Sequence, residues 1–540
     1  MSFENQGCVD MNDEAIEILK KQGCHSTDWN LVSISEDTDL GKIRNVYFKG
    51  PVSIGANAEI INVPGGLANV RIGDNVRIVN VARIENKTDA KYGIGTEVAV
   101  LDETGGRPVR IYPGISSQIA ALAARLPEFA KGTLFPLIDR HMESLPDLPE
   151  IGDGVEILDC GPIIDTRIWS GVKIEGASWL KNGSIVSNTD KGNCITYVGQ
   201  GVNAENFIIE DASVSTGVVL RNTYVGQGTL LDKGFTSHDS LFFANCSMEN
   251  GEACSLFAGP FTVSMHKSSL LIGCQTAFMN AGSGTNMSNH MYKLGPLHWG
   301  VLERGVKTSS NSYLMHGSRI GAFSLVMGEH KNHPDTSDFP FSYLFGDGKG
   351  NTSLVPAAML KSFGLRRDQE KWQKRDRRDG FGLKFNDRIT FHSFNPYTMG
   401  YVLNAITLIN KLLSSSPNDL KISYNGININ RASLKKARYL YELSIYKYLH
   451  IRLGDKTNPT DAGDPNSKMR WYDIAGQIIS ESALKSVLKA ESVTDIEQIL
   501  DNAHTNYDKD ELDWIATNLK DWRNIDNVYS KKSQEFDSIV

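Results

Sequence analysis

A short unit recurs along this sequence: Ile or Val, then Gly, then two variable positions, then a small or β-branched residue. The copies begin at Ile54, Ile72, Ile94, Ile151, Val198, Val225, Ile272 and Ile320. Their fifth positions are Ala58, Val76, Val98, Val155, Val202, Thr229, Thr276 and Ser324. Repeats of this kind are typical of a parallel β-helix, where each coil buries its apolar side chains against the next coil. The repeat therefore predicts a mainly β protein, a parallel β-helical solenoid over residues 40–345.

The spacing of the repeat predicts the shape of each coil. Six residues form one side and eighteen form one turn, so Ile54 should stack on Ile72. The aliphatic residue points inward, and the Gly that follows suits a corner, where φ > 0 or a missing Cβ relieves crowding. Aliphatic residues at intervals close to six support the same geometry: Ile72, Ile78, Ile84; Ile151, Ile157, Ile163; Ile168, Ile174, Leu180. Spacing alone does not decide handedness, although the crossover rule favours a right-handed path.

Over residues 40–345 the pattern resembles the hexapeptide-repeat superfamily, whose members form left-handed β-helices. That resemblance implies a left-handed solenoid and, for the acyltransferases of the superfamily, a His general base acting on an acceptor hydroxyl or amine. It also implies an acyl-CoA bound along the solenoid between subunits of a homo-oligomer, a trimer. The whole chain resembles a bacterial family of unknown function with an N-terminal solenoid and a C-terminal helical region.

Changes in periodicity divide the chain into four parts. Residues 1–39 are predicted as an N-terminal helical cap, with an amphipathic helix over 11–22. A helical insertion at 105–149 interrupts the solenoid, with a helix from Ser116 to Leu126 that Pro127 ends or kinks. It packs either on a neighbouring subunit or on its own solenoid. Residues 346–395 are predicted as a charged loop or linker, and 396–540 as a C-terminal α-helical domain.

Composition excludes several classes of function. The net charge of −7 does not suggest nucleic-acid binding. No transmembrane helix or signal peptide is expected, because the chain has no long apolar run and no basic N-terminus. Seven cysteines without a Cys-x-x-Cys pair favour reduced thiols and a cytoplasmic protein. P-loop, Gly-x-Ser-x-Gly and His-Glu-x-x-His motifs do not occur.

Histidines concentrate late in the predicted solenoid, with seven of the twelve between His238 and His333. Because His titrates near neutral pH, this region is the sequence's candidate site. We expect the general base among His290, His316 and His330, and substrate contacts from Asn286, Asn289 and His238. A solvated polar turn around His330 is the alternative. His238 and Asp239 are adjacent on a strand, which would direct them to opposite faces.

His298 and His316 lie eighteen residues apart and would stack on adjacent coils. Two imidazoles so placed suit a Zn or Fe site, and the arrangement is similar to that of the γ-class carbonic anhydrases, which use the same fold. The alternative is a stacked pair on the outer surface without a ligand.

The stretch Arg366–Asp379 holds seven basic and four acidic residues around Trp372. Arg366, Arg367 and Arg375 have the planar fork that suits phosphate, and a solvated helix with internal ion pairs is the alternative.

Three candidate functions follow from the observations on this sequence. The first is transfer to a small sugar- or phosphate-containing acceptor, with acyl-CoA as the donor. The second is a non-catalytic platform for a sugar phosphate or a partner protein. The third is a metal-dependent hydro-lyase.

Overall fold

The computed structural model describes residues 7–189, 196–288, 299–380, 382–454, 470–522 and 538–539. Within these ranges the first 355 residues are mostly short strands and the remainder is mostly helical. Parallel pairing links each strand to the equivalent strand of the next coil, as in β6–β8, β8–β12 and β12–β14. The protein is therefore a parallel β solenoid followed by a helical region, as the repeat predicts.

The strands before the insertion are β1 (Cys8–Asp10), β2 (His25–Ser26), β3 (Val32–Ser35), β4 (Ile43–Phe48), β5 (Val52–Ile54), β6 (Glu59–Ala68), β7 (Val70–Ile72), β8 (Arg77–Val79) and β9 (Arg83–Glu85). The insertion holds β10 (Glu97–Ala99) and β11 (Pro108–Arg110). The solenoid continues with β12 (Glu156–Leu158), β13 (Pro162–Ile168), β14 (Lys173–Glu175), β15 (Trp179–Val186), β16 (Tyr197–Val198), β17 (Asn203–Glu210), β18 (Ser213–Val214), β19 (Val219–Val225), β20 (Leu230–Asp232), β21 (Thr236–Phe242), β22 (Ser247–Glu249), β23 (Glu252–Cys254), β24 (Phe257–Ala258) and β25 (Val263–Ser264). Its later strands are β26 (Leu270–Ile272), β27 (Cys274–Thr276), β28 (Asn286–Ser288), β29 (Gly300–Leu302), β30 (Lys307–Thr308), β31 (Tyr313–Met315), β32 (Arg319–Ile320), β33 (Leu325–His330), β34 (Tyr343–Asp347) and β35 (Thr352–Val355).

The C-terminal region adds two antiparallel hairpins, β36 (Lys421–Tyr424) with β37 (Ile427–Asn430) and β38 (Trp471–Ile474) with β39 (Gln477–Ser480). The helices of the chain are α1 (Asp13–Lys21), α2 (Ser117–Arg125), α3 (Pro127–Phe129), α4 (Phe135–Glu143), α5 (Phe363–Trp372), α6 (Pro396–Ser415), α7 (Arg431–Leu453), α8 (Glu481–Val487), α9 (Val493–Thr505) and α10 (Tyr507–Asn518). In the described ranges, no helix is both long and apolar enough to cross a bilayer.

Buried aliphatic ladders run through the solenoid. One ladder stacks Ile60, Ile78, Ile157, Ile174, Val198, Val214, Leu231 and Met248 on successive coils. Their registers step by 16 to 18 residues where no insertion intervenes, as in Ile60 on Ile78 and Val198 on Val214. The predicted stacking of Ile54 on Ile72 is confirmed. Burying these side chains coil upon coil supplies the hydrophobic stabilisation of the solenoid.

The glycine after the aliphatic residue serves close approach between coils. A Cβ on Gly55 would lie 2.5 Å from the carbonyl carbon of Gly73, and one on Gly73 would lie 2.4 Å from an oxygen of Asp153. Successive corners therefore stack more tightly than any side chain allows. Of the two reasons offered by the sequence, the missing Cβ is the one that applies at these corners, because neither glycine has positive φ.

Asparagine ladders line other corners. Asn182, Asn206 and Asn222 all have positive φ, and each donates from its amide to the next member, ending on Asp239. Asn tolerates the left-handed conformation better than most residues, and here its side chain also pairs along the stack. These Asn side chains therefore stabilise the corners of the solenoid.

Two copies of the repeat do not form coils as predicted. The copy at Ile94 lies in the insertion, where Val98 pairs antiparallel with Val109 in the β10–β11 hairpin. In the copy at Ile272 the inward residue is Leu271, which stacks on Met287. Parallel pairing resumes when Ile151 bridges to Ile72, so the excursion begins after Glu85, ahead of the predicted 105–149. A Val or Ile beside a Gly is too common to mark a coil alone.

The insertion packs on its own solenoid. Helix α2 is buried from Ser117 to Ala124. Its hydrophobic cluster includes Ile208, Tyr224 and Phe243 of the outer solenoid face, together with Ile474 and Leu500 of the C-terminal region. Ser116 caps α2, and Pro127 starts the next short helix. The helical region is thus joined to the solenoid through the insertion.

Candidate ligand-binding cleft

A cavity of about 1020 Å³ lies between the insertion, the C-terminal helical region and the solenoid. The walls come from α2, α6, the β38 strand, α8 and α10, and the solenoid contributes Arg319. Its lining residues are Ala121, Leu122, Arg125, Leu126, Arg319, Pro396, Tyr397, Gly400, Tyr401, Leu403, Asn404, Arg470, Trp471, Tyr472, Asp473, Ile474, Leu484, Trp514 and Asn518. A concave surface of this size, lined by apolar and aromatic side chains with a few charged groups, is the usual form of a small-molecule site.

The charged residues of the cleft are predominantly cationic. Arg125, Arg319 and Arg470 line it, and among the residues described Asp473 is the one acidic residue in the lining. The whole chain carries a net charge of −7. Three guanidinium groups around one cavity raise the local positive potential, which attracts an anion.

Arg319 is held in place by a buried carboxylate. Its Nε and Nη2 donate to Glu303 Oε1 at 3.1 and 2.9 Å, and the Tyr397 hydroxyl donates to Glu303 Oε2 at 2.6 Å. Burial raises the pKa of Glu303, while the charge of Arg319 and the hydrogen bond from Tyr397 oppose that rise. Both carboxylate oxygens are therefore occupied in orienting groups that line the cleft.

A smaller cavity of about 30 Å³ adjoins the cleft and shares Arg125, Tyr397 and Asp473 with it. Its lining includes Gln275 and Arg304 of the solenoid, which are 6% and 2% exposed. Arg304 donates to the Thr390 carbonyl, and its Nη1 lies 3.5 Å from Asp473 Oδ2. Nε and Nη1 of Arg304 and Oε1 of Gln275 have no hydrogen-bond partner in the part of the chain described. Each such buried group costs about 1–3 kcal/mol, so this cavity is suited to an external partner.

A buried polar network fixes the walls of the cleft relative to each other. Asp387 accepts from the backbone N–H groups of Ser117 on α2 and Ala244 on the solenoid, at 2.6 and 2.8 Å. Arg388 then pairs with Glu497 and Asp501 of α9. The segment 376–388 thereby joins solenoid, insertion and helical region. The sequence predicted a loop or linker at 346–395; within it, Arg378, Asp387 and Arg388 are buried, and the last two make the contacts just described.

The same network contains Glu210, a buried carboxyl group whose pKa is strongly raised. Glu210 accepts from the Gly114 N–H and the Tyr224 hydroxyl, and from the side-chain amides of Asn188 and Asn386. Burial and then the Asp211 carboxylate raise the pKa of Glu210 to about 7, against the effect of the donated hydrogen bonds. Because Asn386 of the segment 376–388 donates to Glu210, we expect ionisation of Glu210 to weaken the contact between that segment and the solenoid.

The three described histidines among the predicted site residues lie outside both cavities. His316 is buried, with Nε2 bonded to the Ile272 carbonyl at 2.7 Å. His330 is bonded through Nδ1 to Thr352, and burial lowers the pKa of His330 to about 4. His238 is exposed and contacts Asp239 at 2.7 Å, because the positive φ of Asp239 turns it away from the opposite face.

The remaining predicted residues are also away from the cleft. Asn286 lies on β28, between coils at Leu270 and Tyr313. Arg366 and Arg367 are exposed on α5 near Glu370 and Asp368, and Arg375 is exposed just beyond that helix. Asn289, His290 and His298 lie outside the described residues, so the His298–His316 pair is not tested.

Among the described residues, no group of three or more His, Cys, Asp or Glu side chains could hold a metal ion.

The sequence analysis did not predict the cleft residues, because they come from distant parts of the chain and do not recur at a regular spacing. One local signal was available, the aromatic run Trp471-Tyr472 beside Asp473. Nothing in the sequence brings that run to Arg125 or Arg319.

The family comparison covers most of the chain. A family model described as a domain of unknown function, DUF4954, matches residues 9–70 and 66–413. The matched range includes the solenoid, the insertion, the 376–388 segment and most of α6. Comparison with curated proteins finds no match.

Proposed function

The chain belongs to the DUF4954 family, whose function is unknown, and we propose that it binds a small phosphorylated ligand, a sugar phosphate, in the cleft beside α2 and α6. The convergence of Arg125, Arg319 and Arg470 on one cavity is the observation that carries this proposal. A guanidinium group presents several N–H donors in a plane and remains charged, which suits phosphate oxygens.

The surroundings of the arginines support a ligand with a ring. Tyr397, Tyr401, Trp471 and Trp514 line the cleft. Flat aromatic faces offer contact area to the apolar face of a sugar, and the tyrosine hydroxyls and indole N–H groups supply directional hydrogen bonds. Arg319 is already oriented by Glu303, so little side-chain freedom is lost when an anion binds.

Inorganic phosphate is the first probe, because it isolates the anion contact. Binding at a hundred times the dissociation constant should add about 2.7 kcal/mol to the stability of the folded chain, which thermal unfolding detects. Arg125→Gln is the test variant, because Arg125 is exposed on α2 and lines both cavities. Arg366→Gln on α5 is the matched control.

We expect Arg125→Gln to weaken phosphate binding by about tenfold, the effect of losing one charge-assisted hydrogen bond, and Arg366→Gln to leave it unchanged. Absence of stabilisation by phosphate in the unmodified chain would refute the proposal. An equal loss in the Arg366→Gln control would refute the location of the site.

Group transfer to the bound ligand is the second candidate function. Asp473 lines both cavities, its Oδ1 accepts from the Gly476 N–H at 2.8 Å, and its side chain is 11% exposed. A carboxylate at the junction can accept the proton of a ligand hydroxyl as that oxygen attacks an acyl thioester. We assign the base to Asp473 rather than to His316 or His330, which lie outside the cavities.

This reaction releases a thiol from acetyl-CoA when a sugar phosphate is present. Asp473→Asn should retain phosphate binding and lose thiol release by about 10²–10⁴-fold. Thiol release that is unchanged in Asp473→Asn, or no release by the unmodified chain with any hexose or pentose phosphate, would refute it.

A further inference from the structure

The small cavity behind the cleft combines donors and an acceptor. Arg304 supplies Nε–H and Nη1–H, and Gln275 supplies Oε1. These atoms form no hydrogen bond within the described ranges, and Nη1 makes only a longer ion-pair contact, 3.5 Å from Asp473 Oδ2. Both side chains belong to the solenoid, Gln275 on β27 and Arg304 just after β29, which pairs with β27. The rigid part of the molecule therefore positions the two groups before any ligand arrives.

The chemistry of the cavity disfavours a second anion. Glu303 and Asp473 line it together with Arg125 and Arg304, so the two carboxylates balance the two guanidinium groups and leave no excess positive charge for another anion. An ionised phosphate or carboxylate oxygen only accepts hydrogen bonds, so it cannot donate to Gln275 Oε1. A hydroxyl group both accepts, as Arg304 requires, and donates, as Gln275 requires.

The size of the cavity agrees with hydroxyl groups. Its volume is about 30 Å³, and a water-sized group needs roughly 10–15 Å³ measured in this way. Two neighbouring hydroxyl groups fit, whereas a bulkier substituent does not. Because Arg125, Tyr397 and Asp473 border both cavities, one ligand can place its phosphate in the cleft and its hydroxyl groups in the small cavity.

We infer that the cavity formed by Gln275 and Arg304 recognises a neighbouring pair of hydroxyl groups on the ligand, and so selects a sugar or polyol phosphate over other phosphates. The inference rests on the proposed phosphate site. It assigns to Gln275 and Arg304 a role in specificity and to the arginines of the cleft a role in affinity for the anion.

The test measures binding of inorganic phosphate, glucose 6-phosphate, fructose 6-phosphate and ribose 5-phosphate by isothermal titration calorimetry. In the unmodified chain at least one sugar phosphate should bind about tenfold or more tightly than inorganic phosphate, as hydroxyl recognition at buried polar groups predicts. Gln275→Leu should lower the affinity for that sugar phosphate to nearly the affinity for inorganic phosphate, and should leave the affinity for inorganic phosphate unchanged. Gln373→Leu, at an exposed position after α5, is the control.

A second measurement keeps the inference testable if Gln275→Leu does not fold. With the unmodified chain, 2-deoxyglucose 6-phosphate and 2-deoxyribose 5-phosphate are compared with their parent sugars, and at least one parent should bind more tightly. Sugar phosphates no tighter than phosphate, or a Gln275→Leu variant equally weakened toward phosphate, would overturn the inference while phosphate binding still stands. No phosphate binding at all would instead remove the proposed function, and this inference with it.

Discussion

Raising the pH from 5 to 8 should loosen the contact between the segment 376–388 and the solenoid, because Glu210 must ionise in a buried site. Its pKa is raised from 4.5 to about 7 by burial and by Asp211. Between these two values the folded chain keeps the proton that the unfolded chain has released. The stabilisation is therefore complete below pH 4.5 and is lost as the pH rises through 7.

The size of the effect follows from the pKa difference. One pKa unit corresponds to about 1.4 kcal/mol, so the shift of Glu210 corresponds to about 3 kcal/mol at full ionisation. Burial likewise raises the pKa of Asp211, Asp387 and Glu497 in the same network. Their contributions have the same sign, so a variant is needed to isolate the contribution of Glu210.

Glu210→Gln is that variant. It cannot ionise. Its amide nitrogen cannot accept a hydrogen bond, whereas the protonated carboxyl oxygen that it replaces can, so among four donor groups it should be less stable than the unmodified chain at pH 5 by about 1–3 kcal/mol. Its stability should then fall less between pH 5 and 8. Glu205→Gln, on the same strand and half-buried beside Lys181, is the matched control and should keep the slope of the unmodified chain.

Hydrogen exchange followed by mass spectrometry measures the effect locally. Protection of the amides in 376–388 and 110–116, corrected for the pH dependence of intrinsic exchange, reports the free energy of opening. Opening free energies that do not change between pH 5 and 8, or a slope in Glu210→Gln equal to that of the unmodified chain, would refute the reasoning.

Three substitutions in the solenoid give further predictions, each measured by thermal or chemical unfolding. Asn206→Ala should destabilise the protein by about 2–3 kcal/mol, because it removes the hydrogen bonds to Asn182 and Asn222 and places Ala at positive φ. Asn206→Gly loses the same hydrogen bonds without that backbone strain, so it should destabilise less. Equal losses for the two variants would show that the positive φ contributes nothing to the effect. Gly183→Ala should cost about 1–3 kcal/mol, since its Cβ would lie 2.2 Å from the Phe207 ring, and a neutral result would show that the ring can move. Phe207→Ala should cost about 3–5 kcal/mol, because the ring is fully buried, and a loss below 1 kcal/mol would mean that the coil collapses around the gap.

The repeat was sufficient to predict the solenoid, since its information is local and periodic. The stack of Ile54 on Ile72 and the inward positions of Ile157 and Ile174 follow from spacing. The prediction failed where a single copy of the repeat is not followed by others at coil spacing. The copy at Ile94, for example, lies beside the antiparallel β10–β11 hairpin. The sequence analysis also did not anticipate the stacking of Asn182, Asn206 and Asn222 at one corner.

The position of helical elements was predictable in part. The helix from Ser116 to Leu126 is confirmed as α2, because its capping residue and apolar face are local signals. Ser492 likewise caps α9, but Glu497 of that helix pairs with Arg388. A local reading could not anticipate a partner from another part of the chain.

The sequence by itself determined the coil, because inward aliphatic residues at intervals of 16 to 18 bury their surface only when the chain winds and stacks. The tertiary structure alone decided where the cleft lies. Arg125, Arg319 and Arg470 meet because a buried network around Asp387 docks the insertion and the helical region on one face of the solenoid. Such convergence depends on contacts between residues more than a hundred positions apart, and no period in the sequence encodes it.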